Sequence, residues 1–334
     1  MQAGGTADAR VPVTIVTGAL GAGKTTLLNH LLTQTRDLKL AIVVNEFGDA
    51  GIDGDLIDSG AEDLIELSSG CICCVIRGDL IRTLRELLRS RTDLDGIVIE
   101  TTGLANPAPV LQTFMADQIL AGRCRLDGVV TVVDAIHIAG QLKRSEDAAD
   151  QIAVADCIVL NKVSEAAAPQ SARELLATIN PFAALIETDR GRVAAAEILN
   201  RQGFDPVRLA DRLGGAVDPA HVHDHDHDHI ESAGIASVTL RCGTPLDGRS
   251  AQNWLETLLT ERGADILRTK GILDVAGEVN RIVVQAVHML IESDEIGPWR
   301  AGEARESRLV LIGRNLNHAE LQAGFAACRA KTVS

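Results

Sequence analysis

Positive charge is in short supply in this chain. Its 334 residues carry 32 Lys and Arg against 46 Asp and Glu, a net charge of −14, and that balance argues against nucleic acid or an anionic membrane surface as a partner. Long apolar runs are also missing: none approaches the roughly eighteen residues of a membrane-spanning helix. Met1 to Arg10 is small and polar, without the apolar core of a secretory leader. A cytosolic protein is the expectation. Three of the seven cysteines crowd into Cys71-Ile72-Cys73-Cys74, a spacing that fits a metal or redox thiol cluster in a reducing compartment better than a disulfide framework. No internal repeat is visible. The length allows two domains, each with a sizeable core.

The densest motif is Gly18-Ala19-Leu20-Gly21-Ala22-Gly23-Lys24-Thr25-Thr26, between the apolar run Val13 to Val16 and a helical pattern through Leu27, Leu28, Leu31 and Leu32. It matches G-x-x-x-x-G-K-[ST] between a strand and a helix, the context that separates a phosphate loop from a glycine-rich turn with a chance lysine. Glycines let the backbone wrap a phosphate and aim N–H groups inward, and the helix N-terminus adds positive potential. Lys24 neutralises β/γ charge and Thr25 offers its hydroxyl to Mg²⁺. Further apolar runs at Leu40 to Val44, Ile97 to Ile99, Val129 to Val133 and Ile158 to Leu160 read as strands buried on both faces, with a weaker one near Ala184 to Ile186. Helical patterns alternate with them around Val110 to Leu120, Asp147 to Ala155, Ser171 to Ile179 and Val193 to Leu199. The alternation predicts an α/β fold of the P-loop NTPase kind, a mostly parallel sheet covered by helices on both faces.

Glu100 closes one of these strands and Gly103 follows, where a nucleotide-binding fold places a carboxylate for Mg²⁺ water and a glycine for the γ-phosphate. Asn161-Lys162 closes another, where N-K-x-D proteins bind guanine, but the fourth residue is Ser164. A hydroxyl cannot accept from guanine N1–H and N2–H together, as a carboxylate does. Base discrimination is therefore expected to be weaker, with ATP not excluded. No side chain stands out as positioning an attacking water, so slow hydrolysis is expected.

Cys71, Cys73 and Cys74 follow a short strand, Leu64 to Leu67, and precede a helix whose N-terminus, with Arg77, would favour thiolate. Thiolates suit Zn²⁺ or another soft metal, and a tetrahedral site needs a fourth ligand, for which Glu46 in Asn45-Glu46-Phe47-Gly48-Asp49 is a candidate. A redox pair or a buried cluster is the alternative. Cys124, Cys157, Cys242 and Cys328 stand alone and read as small core residues. The tract holding His221, His223, His225, His227 and His229, alternating largely with Asp, reads as an exposed linker that captures metal. Beyond it, strands are expected near Ala236 to Cys242, Asp265 to Val275, Arg281 to Glu292 and Arg308 to Ile312, with helices at Ser250 to Arg262 and His318 to Arg329. This is a small α+β domain. The expected organisation is a flexible N-terminus (1–10), a P-loop domain (11–213), a His-rich linker (214–234) and a C-terminal domain (235–334).

Together G-A-L-G-A-G-K-T-T, N-E-F-G-D, G-C-I-C-C, E-T-T-G-L-A-N-P, N-K, the histidine linker and the terminal V-H-M-L resemble the CobW family of metal-chaperone GTPases over nearly the whole chain. The resemblance implies a GTPase domain and a CobW C-terminal domain, with GTP and Mg²⁺ controlling delivery of a transition metal to a metal-dependent client protein. It implies phosphate and Mg²⁺ binding by Lys24 and Thr25, a Walker B acid in Glu100, and metal ligation by Cys71, Cys73 and Cys74. The family spans zinc, cobalt and iron; thiolates with a histidine tract put zinc first, with Co²⁺ or Fe²⁺ as alternatives. A metal store and a P-loop kinase of a small molecule are the rival functions, and the expected assembly is a monomer or homodimer. Glu165, next to Ser164, would substitute as the guanine-reading acid only if the loop shifts by one residue. On that reading Glu165→Ala lowers the preference for GTP over ATP, measured by competition binding.

Overall fold

The computed structural model describes residues 8–45, 63–67, 75–101, 103, 106–204, 206–214 and 234–330, with backbone alone at 45, 63–67, 75–77 and 211–214. The first part of the chain forms strands β1 (Val11–Thr17), β2 (Leu40–Asn45), β3 (Asp63–Leu67), β4 (Gly96–Glu100), β5 (Cys124–Asp134), β6 (Cys157–Asn161) and β7 (Ala184–Glu187). Among the described residues they make a seven-stranded sheet in the order β3-β2-β4-β1-β5-β6-β7. Every neighbouring pair is parallel. The helices between and after them are α1 (Lys24–Gln34), α2 (Val75–Ser90), α3 (Ala108–Ala116), α4 (Gln118–Arg123), α5 (Ile138–Arg144), α6 (Glu146–Ala153), α7 (Pro169–Ile179), α8 (Ala195–Ile198) and α9 (Pro206–Gly214).

The central strands are apolar on consecutive residues because helices cover both faces. On one face the α1 leucines Leu27, Leu28, Leu31 and Leu32 pack on Val16, Ile42, Val98, Val132 and Val159. On the other, α2, α3, α6 and α7 bring Leu84, Leu111, Ile152 and Leu176 onto Ile15, Val43, Ile99 and Val129. From β1 the chain turns toward β2, whereas from β5 it turns toward β6, although β1 and β5 are neighbours. Connections that diverge from adjacent parallel strands open a crevice at the carboxyl edge, where such sheets bind ligands.

The second part forms β8 (Ile235–Cys242), α10 (Gly248–Arg262), β9 (Ile266–Leu273), β10 (Asn280–Val287), β11 (Leu290–Pro298), β12 (Ser307–Arg314) and α11 (His318–Ala327). Its strands make an antiparallel five-stranded sheet ordered β11-β10-β9-β12-β8. Alternation along β10 and β12 divides their side chains between two cores. Val284, Ala286, Leu309 and Leu311 pack with α10 and α11, while Val283, Val287, Val310 and Ile312 join the core of the first sheet. β9 is buried along its whole length.

A charge cluster lies within this interface. Asp156, just before β6, accepts hydrogen bonds from Arg268 Nη2 at 3.1 Å and Lys270 Nζ at 2.6 Å, both from β9, and its second oxygen accepts the Val129 N–H at 3.0 Å. Arg268 also lies over the Phe204 ring, 4.3 Å from its centroid. Burial alone would raise the Asp156 pKa, but the charges of Lys270 and Arg268 outweigh it and hold the carboxyl at about 2.

The structure departs from the sequence reading in several elements. The helix expected from Val110 to Leu120 breaks at Asp117, whose Oδ1 accepts the Ile119 and Leu120 N–H groups at 3.1 and 3.0 Å and so starts α4. The strand expected from Arg281 to Glu292 is a hairpin: His288 turns at φ 52° and its Nδ1 lies 2.9 Å from Gly263 O, separating β10 from β11. Helices α5 and α9 were not expected. The lone cysteines Cys124, Cys157, Cys242 and Cys328 are buried.

Asp156→Ala removes the carboxylate that two buried cations share and is expected to destabilise the protein by about 3–5 kcal/mol, read as a lower urea midpoint. Because the folded-state pKa of Asp156 is depressed, its contribution is present above the ordinary carboxylate range and lost as pH falls through about 2. The stability gap between wild type and Asp156→Asn should therefore shrink as the medium is taken from about pH 5 toward pH 2.

Candidate nucleotide site

The loop between β1 and α1 takes its shape from close backbone contacts. A Cβ on Gly18 would sit 2.1 Å from the Val132 carbonyl oxygen, and φ at this residue is 136°, so only glycine lets β1 leave the sheet this way. The Lys24 ammonium turns back into the loop and donates to Gly18 O at 2.8 Å and Ala19 O at 3.3 Å. Lys24 is only 7% exposed. Burial draws its pKa down and the field of the Glu100 carboxylate opposes that. The first turn of α1 holds Lys24, Thr25 and Thr26 and no acidic residue, so the positive end of the helix stands uncompensated. Thr25 and Thr26 are exposed.

Neighbouring strands bring the other elements to the same edge. Glu100 ends β4 in register with Val16 of β1 and is 8% exposed. Thr101 bonds to Thr17 at 2.8 Å through the two hydroxyls, and its N–H donates to Val16 O at 2.9 Å. Gly103 then lies against the phosphate loop, where a Cβ would stand 2.5 Å from Leu20 N. From β6, Asn161 Nδ2 donates to Ala22 O at 2.9 Å and Lys162 Nζ donates to Gly21 O at 2.9 Å. Gly18, Gly21, Ala22, Gly23, Lys24, Thr25, Thr26, Glu100, Gly103, Asn161 and Lys162 thus gather at one edge, a donor-rich cradle beside the buried Glu100 carboxylate. Such a cradle suits a polyphosphate.

Other residues at this edge escaped the sequence reading. Asp134, at the end of β5, accepts from Lys162 Nζ at 2.7 Å. It closes the apolar run Val129 to Val133 just as Glu100 closes Ile97 to Ile99, and that strand-end position was the available signal. Asp189 and Gly191 follow β7: the Ser164 N–H donates to Asp189 Oδ1 at 3.0 Å, and the Gly191 N–H to Asn161 Oδ1 at 3.1 Å. Nothing local marks them, since their partners lie some 25 to 30 residues away in sequence. Glu165 is exposed on the 3₁₀ turn Val163–Glu165.

Cys71, Cys73, Cys74, Glu46 and the histidines His221, His223, His225, His227 and His229 lie outside the described residues. The residues leading toward the first two groups, Asn45 and Leu67, are register partners on β2 and β3 at the carboxyl edge that carries the cradle. Among the described residues no three of His, Cys, Asp and Glu converge as metal ligands, and no helix is long and apolar enough to cross a membrane.

The family model described as CobW/HypB/UreG, nucleotide-binding domain, matches residues 12–187, and the cobalamin synthesis protein cobW C-terminal domain matches residues 235–329. The chain is 35% identical over 323 residues to the zinc chaperone YjiA of Escherichia coli, covering 96% of this chain and 99% of that protein. It is 42% identical over 204 residues to zinc-regulated GTPase metalloprotein activator 1 of Schizosaccharomyces pombe, across 58% of this chain and 50% of that protein. The crystal structure of Zn(II)-bound YjiA GTPase from E. coli superposes with a TM-score of 0.74 at 31% identity, covering 96% of this chain and 99% of that one.

Removing the Lys24 ammonium takes away a charge-assisted bond to phosphate, worth about 1.5–3 kcal/mol. Lys24→Ala is expected to weaken triphosphate binding by about 10- to 100-fold, measured by titration with a fluorescent nucleotide.

Proposed function

Because the chain belongs to the CobW/HypB/UreG family, we propose that it is a GTP-dependent zinc chaperone, which binds its cargo metal through Cys71, Cys73 and Cys74 and releases it to a metal-dependent client in step with slow GTP hydrolysis. The chain is a P-loop NTPase. The observation that carries the reading is the buried Lys24 ammonium held on its own loop carbonyls at the N-terminus of α1. An incoming phosphate replaces those weak acceptors with formal negative charge. Relatives named zinc chaperone match nearly the whole of this chain, which supports zinc over cobalt or iron.

In this reading Gly18 to Thr26 wrap the phosphates, Asn161 and Lys162 brace the loop from β6, and Gly103 stands where the γ-phosphate is sensed. Thr25 and Glu100 would hold Mg²⁺. The buried Glu100 carboxylate, whose charge acts on Lys24, and the exposed Thr25 hydroxyl are oxygen donors of the kind a hard divalent ion takes. That ion would supply positive charge toward the β/γ-phosphates.

The sheet register supports coupling between nucleotide and cargo. Asn45 pairs with Leu67, and Val44 is in register with both Glu66 and Glu100. Asn45 and Leu67, the last described residues before Glu46 and before the cysteines, therefore lie at the sheet edge that carries the nucleotide cradle. Glu46 would complete the thiolate set, and the histidine tract would collect metal in the cytosol before transfer. Order imposed on one segment by a γ-phosphate has a short path to the other.

Serine replacement of Cys71, Cys73 and Cys74 together is expected to abolish stoichiometric zinc in protein isolated without an affinity tag, while GTP affinity stays at the wild-type value. Zinc affinity should differ by about 5- to 150-fold between the GTP-analogue and GDP forms, measured by chelator competition. Equal affinity in both forms would remove the coupling, since a ligand with no differential affinity shifts nothing.

A further inference from the structure

We propose that Asp189 supplies the carboxylate that reads the guanine edge, in place of the acidic residue missing at Ser164. The inference rests on the triphosphate-binding reading above and names the group that selects the base. Asn161 and Lys162 are occupied in holding loops together. The amide of Asn161 bridges Ala22 O and the Gly191 N–H, and the Lys162 ammonium bridges Gly21 O and Asp134. Lys162 adopts φ 61°, and this left-handed step sends the chain into the turn that presents Ser164 at the surface.

The Ser164 N–H donates to Asp189 Oδ1 at 3.0 Å. The Asp189 carboxylate thus lies one hydrogen bond from the backbone atom beside which an aspartate at position 164 would branch. It reaches this point from the loop after β7, the strand next to β6.

That loop is fixed on several sides. The Thr188 N–H donates to Leu160 O at 2.9 Å, the Val163 N–H to Thr188 O at 3.4 Å, and the Arg192 N–H to Asp189 O at 3.4 Å. Thr188 Oγ1 donates to Arg192 O at 3.0 Å. Gly191 meets the first turn of α1, where a Cβ would stand 2.9 Å from Leu27 N. Among the described residues Asp189 Oδ2 makes no hydrogen bond, and the residue is only partly buried. A carboxylate has about four lone-pair sites, so it can keep the Ser164 contact and accept from a ligand.

Guanine presents two donors on one edge, N1–H and the N2 amino group, and a carboxylate accepts both. Adenine presents an acceptor at N1, which a carboxylate repels. A site built to pair with donors rejects the analogue that lacks them far more strongly than an apolar pocket would. The exposed Glu165 has no comparable contact with Ser164.

The experiment is competition binding of GTP, ATP and xanthosine triphosphate to the full-length protein. The chains compared are wild type, Asp189→Asn, Asp189→Ala, Glu165→Ala and Asp189→Ala with Ser164→Asp. Asp189→Asn should lose about 10- to 100-fold in GTP affinity, hold ATP affinity, and gain xanthosine triphosphate, because the asparagine amide donates to the 2-oxo group. Asp189→Ala should erase the GTP preference, Ser164→Asp should restore it, and Glu165→Ala should leave it intact. An unchanged GTP-to-ATP ratio in both Asp189 variants, with GTP still bound, overturns the assignment and leaves the nucleotide reading standing. So does an equal loss for all three nucleotides with a lowered melting temperature, the mark of a purely structural brace. A wild-type protein that binds neither GTP nor ATP overturns both.

Discussion

Asn161 is the residue on which the site's geometry turns. Its amide nitrogen is given to the Ala22 carbonyl of the phosphate loop and its oxygen takes the Gly191 N–H of the loop after β7, while β6 anchors it in the sheet. One planar group thereby fixes the distance between two loops that are far apart in sequence. Lys162 adds a second pair of contacts, to Gly21 and to Asp134. The phosphate loop is held open from outside, by neighbours along the sheet edge, rather than by packing within its own glycines. Preorganisation of this kind lowers the ordering entropy that a triphosphate must overcome on binding.

The parts of this arrangement legible in the sequence are those with a local signature. Strands buried on both faces write themselves as apolar runs, and β1, β2, β4, β5 and β6 coincide with such runs because helices cover both sides. The phosphate loop, Glu100 and Asn161-Lys162 were readable because each motif sits at a strand end. What could not be read depends on pairing across the chain. Asp189 looks like any polar residue after a weak edge strand until β7 is laid beside β6. Asp156 looks like a surface acid until β9 delivers Arg268 and Lys270. The β10–β11 hairpin was hidden for a different reason: its turn is made by His288 in a left-handed conformation, with no glycine, proline or asparagine at the tip to announce it.

The interface also joins the segment after Glu100 to the second sheet. Asn106, just before α3, accepts the Ala108 N–H at 2.8 Å, and its Nδ2 donates to Asp150 at 3.0 Å. Arg314, at the end of β12, bonds to the other oxygen of Asp150. The stretch that begins at Glu100 and meets the phosphate loop at Gly103 therefore ends within two side-chain contacts of the C-terminal sheet. β6 has the same character, with Asp156 beneath it at one end and Asn161 in the nucleotide site at the other.

A sheet that shares one face with the core of its neighbour and the other with its own helices is a middle layer, not an appendage. The two halves of this molecule are fastened by β9, β10 and β12 and by the charges around Asp156. The covalent joint between them is therefore redundant as a fastener. A joint relieved of that duty is free to change in length and composition without loosening the fold. That freedom lets a stretch as extreme as alternating histidine and aspartate persist in the middle of a chain whose stability depends on everything around it.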